Sequence, residues 1–175
     1  FLIIGGGIAG VSAAARLASL GSVTLLEGED ALATHASGRS AAMFEENYGA
    51  PAVVALNRAS AAYLQNDSGG VLKPRGILML GTADTTDALA KDIDAFEMEP
   101  ISVEEACQMM PLINPEVVTS AAYNSRASDI DTHQLIQNFL RKARANGADI
   151  HTNAHVHAIN RTGNGWHVET AQGTY

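Results

Sequence analysis

The chain has 175 residues, 46% of them apolar, with a formal net charge of −8 and a pI near 5.1. That apolar fraction is ample for a packed core, no apolar run is long enough to span a bilayer, and the acidic balance disfavours a nucleic-acid partner. Cys107 is the single cysteine, so no internal disulfide can form, and it reads as a small buried thiol.

Phe1 to Ile4 is a short apolar run that predicts a strand buried on both faces. Gly5-Gly6-Gly7-Ile8-Ala9-Gly10 follows at once and contains G-x-G-x-x-G as Gly5, Gly7 and Gly10. Ala9 to Leu20 has the composition and spacing of a helix, with Gly21 as its stop. Val23 to Leu26 reads as a second buried strand ending on Glu27. Gly5 permits the tight turn, Gly7 lets backbone approach a pyrophosphate, and Gly10 lets the helix pack closely on the sheet. The helix N-terminus offers N–H groups and positive dipole to phosphates, and Glu27 stands where an acid accepts ribose hydroxyls. In this order the segments predict a device for holding an adenine dinucleotide.

Asp30 to Phe44 is small and polar, with Arg39 as its one cation. Pro51 suits the first position of a helix running on from Ala52 to Gln65, and Asn66 to Gly70 is a loop. Val71-Leu72 and Gly76 to Leu80 read as strand, ending at Gly81. Asp84 to Phe96 is a helix with Leu89, Ile93 and Phe96 on one face. Ser102 and Glu105 form a capping box that opens a short helix, which Pro111 terminates, and Val117 to Tyr123 is a strand.

Asp129-Ile-Asp131-Thr132 caps a further helix whose stripe is Leu135, Ile136, Phe139, Leu140 and Ala143, with Gly147 at its end. Strands are expected at Asp149 to Thr152, Val156 to Arg161 and Trp166 to Thr170. His151, His155, His157 and His167 invite a Zn²⁺ reading, but no carboxylate or thiolate stands at motif spacing, so a solvated hairpin face and no metal are expected. His133 is expected at the surface, and no G-x-S-x-G supports a hydrolase. Phe1 already lies inside a predicted strand and another strand begins at Thr174-Tyr175, so the chain is expected to be the N-terminal part of a longer protein.

Three blocks carry a family resemblance: Ile4 to Gly10 through Glu27, His35-Ala-Ser-Gly-Arg-Ser-Ala-Ala42, and Asp129-Ile-Asp-Thr132 through its helix to Val156. With them the chain resembles the FAD-dependent amino-acid oxidoreductases of the D-amino-acid oxidase superfamily, and within it the D-arginine dehydrogenase and D-amino-acid dehydrogenase branch. The resemblance implies an α/β fold: part of a Rossmann-type FAD-binding domain with part of an α+β substrate-binding domain inserted. Residues 1–45 and 128–175 would form the FAD domain, and residues 46–127 the substrate domain.

It also implies FAD contacts at Gly5, Gly7, Ile8, Ala9, Gly10, Glu27 and Gly28. His35, Arg39, Ser40, Ala41, Ala42 and Met43 would follow the flavin, with Arg39 and Ser40 facing pyrophosphate and ring. Ala41 and Ala42 would bring backbone N–H groups near the ring, and Val156 would meet adenine through its backbone. Tyr48 matches a substrate-shell position near the lid, where an ordinary core or surface tyrosine is an equal reading. No catalytic residue is assigned within the chain.

The implied activity is oxidation of an amino acid, D-configured, at its CH–NH bond. Hydride passes to flavin N5, and hydrolysis gives a 2-oxo acid and ammonia. A 2-hydroxy-acid or sarcosine/glycine-type flavin oxidoreductase is one alternative, and a non-catalytic adenine-nucleotide-binding module is another. The implied partners are a small amino-acid substrate and an electron acceptor (O₂, a quinone or a dye), and the expected location is cytoplasmic or peripheral on the inner membrane. Ile77 is apolar where a cation-selective pocket would want a carboxylate, which points to neutral substrate side chains.

Overall fold

The computed structural model describes residues 1–175, the side chain of Ser68 excepted. In chain order its elements begin with β1 (Leu2–Ile4), α1 (Ile8–Leu17), β2 (Thr24–Leu26), β3 (Met43–Phe44), α2 (Pro51–Asn66), β4 (Leu72–Pro74) and β5 (Ile77–Thr82). There follow α3 (Thr86–Phe96), β6 (Glu99–Ile101), α4 (Val103–Met109), β7 (Val118–Asn124) and β8 (Ser128–Ile130). The chain closes with α5 (Thr132–Ala145), β9 (Asp149–His151), β10 (Val156–Thr162), β11 (Gly165–Thr170) and β12 (Gly173–Thr174). Two compact units result, Phe1–Ala41 with Asp131–Tyr175, and Ala42–Ile130. No helix among the described residues is long and apolar enough to cross a membrane.

The first unit is built on a parallel sheet ordered β1-β2-β9. Leu25 of β2 pairs with Ile3 on one side and Ile150 on the other. Leu25 and Leu26 are fully buried because β2 is the central strand. Within residues 1–175 β1 lies at one end of this sheet, and Ile4 is exposed there.

Helices α1 and α5 pack on each other. Ala14 and Ala15 of α1 are buried there, and α5 buries the predicted stripe of Leu135, Ile136, Phe139, Leu140 and Ala143. Each large apolar side chain buried this way contributes about 1.5–3 kcal/mol. Within the predicted Asp129–Thr132 cap segment the α5 N-cap is Asp131, whose side chain accepts from the Gln134 amide at 2.9 Å, and Gly147 follows with φ +82°. Helix α1 ends at Leu17, short of the expected Leu20, and Leu20 is exposed. An antiparallel sheet ordered β10-β11-β12 completes this unit.

The second unit holds two antiparallel sheets, β3-β8-β4 and β5-β7-β6. Leu89 of α3, Met98 and Ala122 of β7 form a buried cluster, with Ile77, Ile93 and Phe96 packed against it. Ile77 is thereby accounted for by the core. The capping box forms as predicted: Ser102 Oγ accepts from the Glu105 amide at 3.1 Å and Glu105 accepts from the Ser102 amide at 2.8 Å. Cys107 is half-buried, less enclosed than expected.

Strands β3, β6 and β8 have no counterpart in the sequence reading. Each is two or three residues long, too short for an alternation signal, and Pro100 sits in β6, an edge strand where a missing N–H costs little. Met43 pairs with Asp129 and Phe44 with Ser128, which draws residues 42–45 and 128–130 into the second unit.

Candidate functional site

Gly5 leaves β1 with φ +101°, a conformation L side chains resist, and its amide bonds the Leu26 carbonyl at 2.8 Å. A Cβ on Gly10 would collide with the Gly5 carbonyl, so the first turn of α1 can sit against the glycine turn only without one. Gly7 is the N-cap and supplies no side-chain acceptor, and no acidic residue occupies the first turn. The helix start therefore keeps its donor and dipole character for an outside anion.

Glu27 follows β2 directly and is half-buried. Its Oε2 accepts from the Gly6 amide at 2.7 Å and its Oε1 from the Glu29 amide at 3.0 Å. The Glu27 amide donates to the His151 carbonyl at 2.8 Å, and the Glu27 carbonyl accepts from Ala154 at 2.7 Å. The acid is thus held by backbone on every side. Gly28 lies against the following segment: a Cβ there would stand 3.1 Å from His155 Nδ1. Val156, half-buried in β10, comes next to that histidine.

Residues 29–39 fold back over the glycine turn. Ala33 donates to the Gly6 carbonyl at 3.1 Å, and Ser37 Oγ accepts from the Ile8 amide at 3.0 Å. His35 Nε2 stands 2.7 Å from Glu29 Oε1 in an exposed pair. Arg39 donates through Nε to the Thr34 carbonyl at 3.0 Å, and its amide bonds the His35 carbonyl at 3.1 Å. Ser40 and Ala41 are exposed at the end of this segment.

Gly5, Gly7, Ile8, Ala9, Gly10, Glu27, Gly28, His35, Arg39 and Val156 therefore share one unit, most of them around one turn. Ser37 and Ala33 join them without an assigned contact from sequence, and His155, read there only as part of a hairpin face, lies against Gly28. Ser37 lies inside the His35–Ala42 block, but only its fold-back shows which amide it meets. Chemically, a helix start with no acid in its first turn, beside a fixed carboxylate, suits a ligand that is anionic at one part and hydroxylated at another. A cleft of about 560 Å³ lies nearby between the loop at Asp30, Leu32 and Gly38 and the α5 face at Ile136 and Leu140. Neither the glycine turn nor Glu27 lines it, so the donors and acceptors define the site better than cavity size does.

Ala42, Met43 and Tyr48 belong to the second unit. The Ala42 carbonyl accepts from Ile130 at 3.0 Å, and Met43 is partly exposed in β3. Tyr48 is 64% exposed and stacks on Phe96, with ring centroids 6.4 Å apart and planes at 15°. Among the described residues no group of three or more His, Cys, Asp or Glu is placed to hold a metal. His155 and His157 instead pack edge to face at 5.3 Å.

The family model described as "FAD dependent oxidoreductase" matches residues 1–175. The chain belongs to the FAD-dependent oxidoreductase family. Its fold is shared with an L-proline dehydrogenase from P. horikoshii, at TM-score 0.81 and 24% identity over 99% of this chain and 49% of that one. A glycine oxidase from Geobacillus kaustophilus is similar at TM-score 0.83 and 22% identity, over 99% of this chain and 52% of that one. A dithionite-reduced L-alpha-glycerophosphate oxidase from Mycoplasma pneumoniae with FAD bound is similar at TM-score 0.82 and 21% identity, over 97% and 49% respectively. The chain spans about half the length of these structures. In this family member Gly5 stands at positive φ, Gly10 has no room for a Cβ, and the Glu27 carboxylate is 21 residues from Gly6 but bonded to it.

Proposed function

We propose that this chain serves a flavoenzyme that oxidises an amino acid at its CH–NH bond, with D-amino acids as the substrate class. The substrate gives up two electrons and two hydrogens to become an imino acid, which water hydrolyses to a 2-oxo acid and ammonia. The observation that carries the reading is the Gly6–Glu27 hydrogen bond inside a chain matched along its whole length by the family model. It makes one unit of the two ends of a dinucleotide site.

In this reading Gly5, Gly7, Ile8, Ala9 and Gly10 hold the pyrophosphate, and Glu27 with Gly28 takes the ribose hydroxyls. Val156 lies toward the adenine. His35, Arg39, Ser40, Ala41, Ala42 and Met43 follow the rest of the cofactor, and Tyr48 lines the substrate side. FAD, when bound, supplies the two-electron acceptor, while the chain positions it and excludes water. The preference for D-amino acids is supported by the His35–Ala42 block, which resembles that of D-amino-acid dehydrogenases. Similar folds at 24% and 21% identity include an L-proline dehydrogenase and an L-alpha-glycerophosphate oxidase, so fold alone does not choose among amines and hydroxy compounds.

The test is a screen of the full-length protein with a dye acceptor against D- and L-amino acids, glycine, sarcosine, proline and 2-hydroxy acids. A D-amino acid is expected to be turned over fastest. Preference for proline, sarcosine or a 2-hydroxy acid overturns the substrate class. FAD bound without any turnover would favour a nucleotide-binding module.

A further inference from the structure

The second unit contains a buried carboxylate held by neutral hydrogen-bond donors, with Arg58 and Arg126 lining the same cavity. Glu45 is 6% exposed, and no cation is among its hydrogen-bond donors. Its Oε1 accepts from the Asn47 amide at 3.1 Å, and its Oε2 accepts from Asn124 Nδ2 at 3.0 Å. Burying a carboxylate among neutral donors is unfavourable unless every bond is well made, so this arrangement specifies geometry more than it adds stability.

What it specifies is a turn. The Glu45 carbonyl accepts from the Tyr48 amide at 3.2 Å. Asn57 of α2 donates through Nδ2 to the carbonyls of Glu45, at 3.4 Å, and Tyr48, at 3.0 Å. Arg58, also on α2, donates to Asn47 Oδ1 at 2.6 Å. Residues 45–48 are therefore clamped from the core side by Asn124 and from the helix side by Asn57 and Arg58.

Asn124 reaches further. It is 3% exposed, and the Nδ2 that donates to Glu45 also donates to the Phe96 carbonyl at 3.1 Å. Phe96 is the residue on whose ring Tyr48 stacks. The Asn124 Oδ1 accepts from the Arg126 amide at 2.8 Å, which fixes the orientation of its side chain. One buried amide thus references both the turn carrying Tyr48 and the residue supporting its ring.

We propose that Glu45 is a positioning residue which, through Asn124, sets the exposed Tyr48 ring against Phe96 for contact with substrate. The proposal rests on the reading of Tyr48 as a substrate-side residue. In Glu45→Gln the amide NH₂ faces one of two donors, Asn47 N–H or Asn124 Nδ2, and one of the two bonds is lost. The ring is then presented in more than one place, and substrate binding suffers before chemistry does.

The experiment uses the full-length, FAD-loaded protein with D-methionine and a dye acceptor. Glu45→Gln is expected to raise KM about tenfold with kcat within about twofold. Hydrogen exchange of the amides at 45–49 should quicken in the same variant. The Tyr48→Ala protein should show a raised KM that adding Glu45→Gln does not raise further, because both changes remove one positioned ring. Where Glu45→Gln does not fold, Asn57→Ala frees the Glu45 and Tyr48 carbonyls from their shared donor and is read the same way. An unchanged KM in Glu45→Gln beside a raised one in Tyr48→Ala overturns the positioning role and leaves the reading of Tyr48 standing. Additive effects in the double variant do the same. An unchanged KM in Tyr48→Ala, or no turnover of D-methionine, overturns the reading of the substrate side and the proposal with it.

Discussion

Glu27 Oε2 and the Gly6 amide are hydrogen-bonded at 2.7 Å across 21 residues of sequence. The acid that ends the second strand is therefore tied to the turn that ends the first. Its other oxygen is held by the Glu29 amide at 3.0 Å. A carboxylate offers about four acceptor positions, so after these two bonds lone pairs remain for a ligand's hydroxyls. Backbone holds the carboxylate still while leaving it able to bind.

Glu27→Ala should weaken FAD binding by about tenfold to over a hundredfold, because charge-assisted bonds to hydroxyls are worth about 1.5–3 kcal/mol. Titrating the deflavinated full-length protein with FAD measures it. A variant that binds FAD as tightly as the parent shows that Glu27 does not take the ribose.

Gly10→Ala sets two effects against each other. Alanine in a helix interior is ordinarily more stable than glycine by about 0.5–1 kcal/mol. Here the added Cβ meets the Gly5 carbonyl, part of a backbone already held to Leu26. Overpacking of this kind costs about 1–3 kcal/mol, so the net change should be destabilising, with poorer FAD retention. A higher Tm for the variant would refute the collision.

Ser37→Ala should cost the FAD-free protein about 1 kcal/mol, the worth of the bond from the part-buried Ile8 amide. With FAD bound the loss should shrink, because a phosphate at the helix start offers that amide another acceptor. Melting temperatures with and without FAD give the comparison. Equal losses in both would mean that Ser37 keeps the Ile8 amide in the loaded protein.

The α4 cap should depend on pH. The Ser102 hydroxyl, and after it the Ser102 amide, hold the Glu105 carboxyl below its ordinary value of 4.5. A folded-state value lower than the unfolded one means stability present above pH 4.5 and lost as pH falls through the lowered value. Ser102→Ala should therefore destabilise near neutral pH, as the loss of an N-cap does, and by less in acid. Urea unfolding at about pH 7 and about pH 3 decides it. A difference that does not shrink in acid would separate the cap from the ionisation of Glu105.

Parts of this molecule were legible because local chemistry specifies them. The glycines with the run into Glu27, the Ser102–Glu105 box and the Asp131 cap are short-range patterns whose hydrogen bonds close within a few residues or whose turns only glycine can make. The α5 stripe was legible for the same reason, since its period is that of one helix. Strands β3 and β8 were not legible. They exist because Met43 meets Asp129 and Phe44 meets Ser128, partners more than 80 residues apart with no periodicity to announce them.

By itself the sequence determined the beginning of a Rossmann-type fold, the Ser102–Glu105 capping box and the stripe of α5. Tertiary structure alone decided that Ser37 meets the first amide of α1 and that Glu27 is bonded to Gly6. It alone brought Asn124 to Glu45 across 79 positions. The reason is physical. A turn or cap is fixed by the conformational preferences of neighbouring residues, whereas a buried polar group takes whatever donor the packed chain delivers to it, and distance along the chain carries no record of that partner.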